Sequence, residues 1–374
     1  MIYFDNAATT FPKPPAVLAA LEEAVRTYGG NPGRGAHRLS LSTGEKIYEC
    51  RVALSRFFGV NAPERIIFTE NTTYALNIAI KGLIPPHSHV LISDLEHNAT
   101  LRPLFALREK GVTFDVFPTL HKSTEQILAG ITERLKSTTA AIVCTHSSNV
   151  CSLTLPIATI GALCRKRGLT FIVDAAQSAG HLPIDVTKMQ IDALAAPAHK
   201  GLFGIAGCGI LALGEGCHPR TLIEGGSGLH SALPTMPEDF PERYEAGTLP
   251  TPAILALQSG LSFVEELGLA YIKECEKTLF LAVRERIESL PGYRIYEKEQ
   301  EGAVLLFRKE GCPCDALARH LDKAGICARA GLHCAPLAHR TLSTPEGGAV
   351  RLSFSPLNTK EEVDALWRVL KELK

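Results

Sequence analysis

The sequence carries no net charge: Lys and Arg number 39, as do Asp and Glu, and no block of like charge interrupts the mixture. That excludes a broad basic face for nucleic acid and points to a small or locally recognised substrate. No uncharged apolar run approaches the roughly 18 residues of a membrane helix. The opening, MIYFDNAATTFPKP, lacks the basic segment and apolar stretch of a secretory leader. A cytoplasmic protein without a membrane span is therefore expected. Eleven cysteines are present, an odd number, without the short disulfide-dense scaffold that would employ them as staples. A reducing compartment fits, with most of these thiols serving as small buried hydrophobes.

At 374 residues the chain exceeds the size at which one core usually stops growing, so two domains are expected. Strand-like and helix-like segments alternate. PAVLAALEEAVRTYGG places Val17, Leu21, Val25 and Tyr28 on one helical face. RIIFT, HVLIS, VTFDVF, AAIVCT and TFIVDA read as strands, and the segments after them as helices with glycine stops at Gly111 and Gly168. Such alternation predicts a mostly parallel sheet with helices on both faces, its chemistry at the carboxyl ends of the strands. Residues 216–252 are rich in Gly and Pro, the composition of a functional loop or an interface segment. Two helices, short strands and a last helix then suggest a smaller α+β domain. We divide the chain into a large domain over 16–255 and a small one over 256–374, the latter joined by 1–15.

Lys200, in APAHKGLFGIAGCG, reads either as a solvated charge or as a desolvated amine that forms a Schiff base with a carbonyl cofactor such as pyridoxal phosphate. The second reading needs a carboxylate for the pyridinium nitrogen, a phosphate cradle and a face for the ring. Asp174 ends a buried strand, where a carboxylate is costly unless paired; a helix cap or structural ion pair would also explain it. Gln177 could reach the ring hydroxyl. Thr72 and Thr73 open a helix directly after a strand, as an anion site or merely as caps. His97 follows the strand HVLIS, either stacked on a ring or an ordinary loop histidine.

Taken in order, YFDNAATT, EHNAT, THSSNV, VDAAQSAGHLPIDV, AHKGLFG, YEAGT, RAGLHCAPLAH and VRLSFSPLNTKEEVD span almost the whole chain. With them it resembles the class V aminotransferase family of fold-type I pyridoxal-phosphate enzymes, and within that family the cysteine desulfurases. The resemblance implies an α/β fold with a mostly parallel seven-stranded sheet flanked by helices, plus a smaller α+β C-terminal domain. It implies that Lys200 holds the cofactor and shuttles a proton, that Asp174 pairs with the pyridinium, that Gln177 contacts the phenolic oxygen and that His97 stacks on the ring. Thr72, Thr73 and His199 would bind phosphate. Asn149 and Arg351 would hold the substrate carboxylate, arginine being suited to bidentate contact. Thr248 would reach the phosphate of a neighbouring subunit, implying a homodimer with shared sites, and Arg34 would approach a site across that interface. Relatives often carry Ser or Thr where Ala198 stands, so one phosphate hydroxyl is missing; NVCSLTLPI also departs from the usual glycine-bearing version at Cys151.

Cys334 sits in AGLHCAPLAH between His333 and His339. Those three are zinc-ligand types, but a tetrahedral site normally shows tighter ligand pairs, and no metal is expected. A buried structural thiol is a second reading, and Cys312 and Cys314 stand too close together for an easy mutual disulfide. The resemblance makes Cys334 the nucleophile that takes sulfur from L-cysteine as a persulfide, leaving alanine, with His333 or the substrate assisting ionisation. Arg351 follows Cys334 by 17 positions, a spacing like that of the short-loop branch, which includes selenocysteine lyases. A short loop implies a sulfur-acceptor protein docking close by, and L-selenocysteine is a second candidate substrate. Transamination, epimerisation or β-elimination without Cys334 would use the same fold and cofactor, and a non-catalytic scaffold would use neither.

Overall fold

Fully apolar strand interiors explain the centre of this molecule. The computed structural model describes residues 1–33, 35–297 and 302–373. After a short first strand β1 (Ile2–Tyr3) come β2 (Ile66–Thr69), β3 (His89–Ser93), β4 (Thr113–Phe117), β5 (Thr139–Thr145), β6 (Thr170–Asp174), β7 (Ala193–Pro197) and β8 (Gly209–Leu213). Among the described residues β2 to β8 form one sheet in the order β2-β8-β7-β6-β5-β3-β4. Only β8 runs against the rest, pairing antiparallel with β2 and β7. β3, β7 and β8 are buried at every position, as strands covered on both faces must be. Apolar clusters fill both sides of the sheet, one around Phe58, Phe68 and Phe171, the other around Ile80, Val90 and Ile172.

Helix Arg38–Phe57 is not expected from periodicity, and one expected helix is rotated. Helix Pro15–Thr27 buries Val17 and Ala24 and leaves Val25 68% exposed, so Val25 is not on the buried face. This helix lies against Thr251–Leu267. Gly111 and Gly168 stop their helices at φ +74° and +64°, a left-handed turn that glycine makes without a Cβ clash.

The C-terminal part carries β9 (Tyr293–Tyr296), β10 (Val304–Lys309), β11 (Ile326–Cys327), β12 (Arg329–Gly331) and β13 (Ala349–Ser353). β12-β13-β10-β9 form an antiparallel sheet, while β11 pairs in parallel with β1. Its core joins Phe4 from the N-terminus to Phe280, Phe307, Leu352 and Leu366. In the last helix Val363, Leu366 and Leu370 are buried, and Leu373 packs beside them.

Between β8 and Thr251 the described chain has neither helix nor strand, yet this segment is anchored. Its Glu245 enters the core and makes a paired contact with Arg51 at 2.6 and 2.8 Å, both side chains 5% exposed. Glu245 also accepts the Phe68 N–H at 2.6 Å, and Arg51 donates to the Ile66 carbonyl. A buried charge stripped of its partner costs about 3–5 kcal/mol. Arg51→Ala should therefore lower the unfolding free energy by that much, and Arg51→Met with Glu245→Leu should cost less than either change alone. Unfolding curves in urea read both.

Candidate active site

The parallel strands deliver their carboxyl ends to one place. β3 leads to His97, β5 ends at Thr145 with Asn149 shortly after, β6 ends at Asp174, and β7 runs into His199 and Lys200. Together with the helix that opens at Thr72, these ends enclose a cavity of about 130 Å³. Thr72, Thr73, His97, Asn149, Asp174, Gln177, His199 and Lys200 all line it. Eight residues singled out from the sequence thus share one wall. Arg34 lies outside the described residues. Thr248 is exposed on the long loop, where its hydroxyl is 3.5 Å from the Asn31 amide, away from this cavity.

Lys200 follows a tight approach of two glycines. A Cβ on Gly180, at φ +85°, would stand 2.1 Å from the Gly201 carbonyl, so the lysine's loop is pressed onto the preceding turn. Burial lowers the Lys200 amine to about 8; Asp174 opposes that shift, and Arg351 and Arg329 add to it. Burial likewise raises the Asp174 carboxyl, which accepts the Ala176 N–H at 2.9 Å on one oxygen. Burial first and the Lys200 charge second bring His97 and His199 down to about 4, so both imidazoles are neutral at physiological pH. His97 accepts the Ala99 N–H through Nδ1 and so caps its helix while facing the cavity. Gln177 is fixed by donating to the Ala7 carbonyl at 3.0 Å.

The anion end shows which role Thr72 has. Asn71, not a threonine, caps the helix, accepting the Tyr74 N–H at 3.1 Å. The first-turn amides of Thr72 and Thr73 have no partner within the helix. The Thr72 hydroxyl and His199 Nδ1 are buried without a hydrogen bond. Unsatisfied polar atoms in a buried wall are expensive unless something fills them. A phosphate would satisfy both, and a cationic ring nitrogen would relieve the buried Asp174, so the residues fit pyridoxal phosphate.

Cys334 does not line the cavity, but its loop is tied to the wall. The Asn98 N–H, next to His97, donates to the Cys334 carbonyl at 2.7 Å, and the Asn149 side chain donates to the His333 carbonyl at 2.8 Å. Cys334 is an exposed thiol; Arg329 Nη2 stands 4.0 Å from its sulfur. His333 is not placed to ionise it, since its ring nitrogens meet His339 and the Arg329 carbonyl instead. Both His333 and Cys334 adopt left-handed backbone, at φ +51° and +55°, which costs about 1–2 kcal/mol per residue. Arg351 is buried, paired with Asp5 at 2.7 Å and donating to the Asn149 carbonyl at 3.1 Å, with Nε unpartnered.

Three neighbours escaped the sequence reading. Asp5 is the counter-ion of Arg351. Arg329 lies directly opposite Arg351 on the paired strands, an unfavourable placement of like charges that marks a site demanding positive potential. Glu96 is fully buried beside Asp174 and is pushed up to about 8 by burial. A carboxylate-bearing residue next to His97 in EHNAT was the signal available for it.

The sheet, the desolvated lysine at its carboxyl edge and the anion cradle of Thr72 and His199 define a fold-type I pyridoxal-phosphate enzyme. Residues 2–366 match the family described as Aminotransferase class-V, and the chain belongs to that family. It is 33% identical to a probable cysteine desulfurase of Methanothermobacter thermautotrophicus, covering all of this chain and 94% of that protein. A probable cysteine desulfurase of Pyrococcus abyssi is 31% identical with the same coverage. Among solved structures, the apo cysteine desulfurase of Thermococcus onnurineus superposes with a TM-score of 0.90 at 30% identity, over 100% of this chain and 94% of that one.

Proposed function

We propose that this chain is a cysteine desulfurase: it takes sulfur from L-cysteine, releases L-alanine and holds the sulfur as a persulfide on Cys334. The observation that carries this reading is an exposed thiol whose loop is bonded, through Asn98 and Asn149, to the wall that holds Lys200. The names of the relatives at 30% identity or more support it.

Bound pyridoxal phosphate would supply an electron sink for charge developing at the substrate α-carbon. Lys200 would anchor it and, once released, move the α-proton; an amine lowered to about 8 is suited to that exchange near neutral pH. Asp174 would hold a positive charge at the ring nitrogen, Gln177 the phenolic oxygen, and the neutral His97 the ring face. Thr72, Thr73 and His199 would bind phosphate, with Ala198 contributing no hydroxyl. Arg351 and Asn149 would hold the substrate carboxylate, Asp5 yielding part of its ion pair. The Cys334 thiolate would then attack the substrate sulfur, forming an S–S bond as the C–S bond breaks; the electron pair leaves with the carbon, which takes a proton to become alanine.

The four residues Leu332–Ala335 between β12 and the helix Pro336–Thr341 leave Cys334 little travel, so an acceptor protein would dock at its loop. We also propose a homodimer in which Thr248 serves the partner's phosphate; its exposure and distance from its own cavity support this. Arg34 would belong to the same interface. Among the described residues no single helix is long and apolar enough to cross a membrane. Eleven free thiols favour a cytoplasmic, reducing setting.

The test is a product balance. The enzyme reconstituted with pyridoxal phosphate and given L-cysteine with a thiol acceptor should form alanine and transferable sulfur in equal amounts. Pyruvate and ammonia instead would assign it to β-elimination.

A further inference from the structure

The ring of His333 is buried, and its nitrogens face two different partners. Nε2 is 3.2 Å from the Arg329 carbonyl, and Nδ1 is 3.0 Å from His339 Nε2. His339 Nδ1 is 2.9 Å from the Thr344 hydroxyl. A carbonyl can only accept, so the His333 proton must be on Nε2. In a neutral imidazole that leaves Nδ1 bare, and His339 must donate to it from its own Nε2. His339 Nδ1 is then bare in turn and takes the Thr344 hydroxyl proton. The chain has one direction: Thr344 to His339 to His333 to the Arg329 carbonyl. The two ring planes lie 15° apart with centroids at 5.2 Å, an arrangement compatible with in-plane donation across the 3.0 Å N···N contact. Burial, followed by the Arg351 charge, holds His333 at about 3 and His339 at about 4, so the neutral forms persist at physiological pH.

We propose that His339 is a positioning residue for Cys334, acting through His333 to hold the left-handed loop that presents the thiol at the cavity. This rests on the reading of Cys334 as the sulfur-accepting thiol. Two consecutive non-glycine residues in left-handed backbone persist only where the surroundings over-determine them. The carbonyls of His333 and Cys334 are tied by Asn149 and Asn98, and the Ala335 N–H closes the turn on the Leu332 carbonyl at 2.9 Å. Those bonds fix the main chain on the cavity side. The His333 ring is the anchor on the other side, and its orientation depends on a donor that His339 alone supplies. A proton on His333 Nδ1 would face the His339 Nε2–H, so this arrangement of the lock needs a neutral His333, whereas a proton added to His339 at Nδ1 would face the Thr344 hydroxyl oxygen, which can accept it. His339 touches neither the thiol nor the cavity wall; its effect reaches the chemistry only through the loop.

The test compares His339→Leu, His339→Gln and His339→Asn in the reconstituted enzyme. A glutamine amide can present an N–H at the reach of imidazole Nε2; an asparagine amide stops short, near Nδ1. His339→Leu should lower kcat about tenfold or more, the scale at which a misplaced reactive group is felt, and leave KM within about twofold and cofactor absorbance unchanged. His339→Gln should recover to within about threefold of the parent and His339→Asn should not. Unimpaired turnover in His339→Leu, or equal losses in Leu and Gln, overturns the proposal. If His339→Leu does not fold, equal rates for Gln and Asn overturn it. Cys334→Ser is run alongside. Sulfur transfer surviving in that variant removes the desulfurase reading and this proposal with it; loss there beside a fully active His339→Leu overturns the lock alone.

Discussion

Cys334→Ser forms no protein-bound persulfide from L-cysteine, while its cofactor absorbance matches the parent. The expected fall in sulfur transfer is at least about 10³-fold, because a serine hydroxyl is almost wholly un-ionised at neutral pH, whereas a thiol supplies a few per cent of a strong nucleophile. The change is nearly isosteric, and the loop's bonds run through the main-chain carbonyls of His333 and Cys334, which serine retains. The side chain is exposed, so no cavity is left in a core. Cofactor binding should survive because Cys334 is absent from the cavity wall. Intact-protein mass spectrometry after substrate addition reads the gain of one sulfur atom, and the visible spectrum reads the cofactor. A serine variant that still transfers sulfur would hand the reaction to another group; one that loses the cofactor as well would show that the loop supports the cavity rather than the chemistry.

The separation between thiol and cavity was not visible in the primary structure, and the reason is distance along the chain. Asp5 meets Arg351 across 346 residues, and Arg329 stands opposite Arg351 only because of strand register. No local pattern carries either pairing. Several cavity residues were readable because they sit at the end of a segment with its own signature: HVLIS before His97, TFIVD closing on Asp174, Thr72 at the start of an amphipathic helix. The strand before Lys200 carried no such mark. Ala193–Pro197 is mostly alanine, a helix former, and ends in proline; it is a strand because β6 and β8 bond to it on both sides. Helix Arg38–Phe57 was hidden for a related reason. Its buried face holds Ser40, Thr43, Arg51 and Ser55, polar residues among which Arg51 makes sense only once Glu245 arrives from a loop distant in sequence.

Lys200→Ala retains no covalently held cofactor and turns over L-cysteine at least about 10³-fold more slowly, since both the tether and the proton carrier are lost. Borohydride treatment followed by desalting distinguishes the two proteins: the parent keeps the reduced cofactor, the variant releases it. The parent also makes a pH prediction. Only the neutral amine attacks the aldehyde of pyridoxal phosphate, and burial has lowered this amine to about 8. Capture of cofactor by the apoprotein should therefore rise about tenfold per pH unit up to about 8 and then level off, where an exposed lysine would keep rising to about 10.4. Loss of fold in the variant is read separately, by its thermal unfolding. The folded amine binds fewer protons than the unfolded one between about 8 and 10.5, so stability falls as pH drops through that window and stays reduced below it. Alanine removes that penalty but also takes the Lys200 charge away from buried Asp174, so thermal unfolding of the variant apoprotein at pH 7 is measured beside that of the parent. A capture rate still climbing steeply above about pH 9 would mean that the lysine is solvated, and the buried geometry on which its role depends would be wrong.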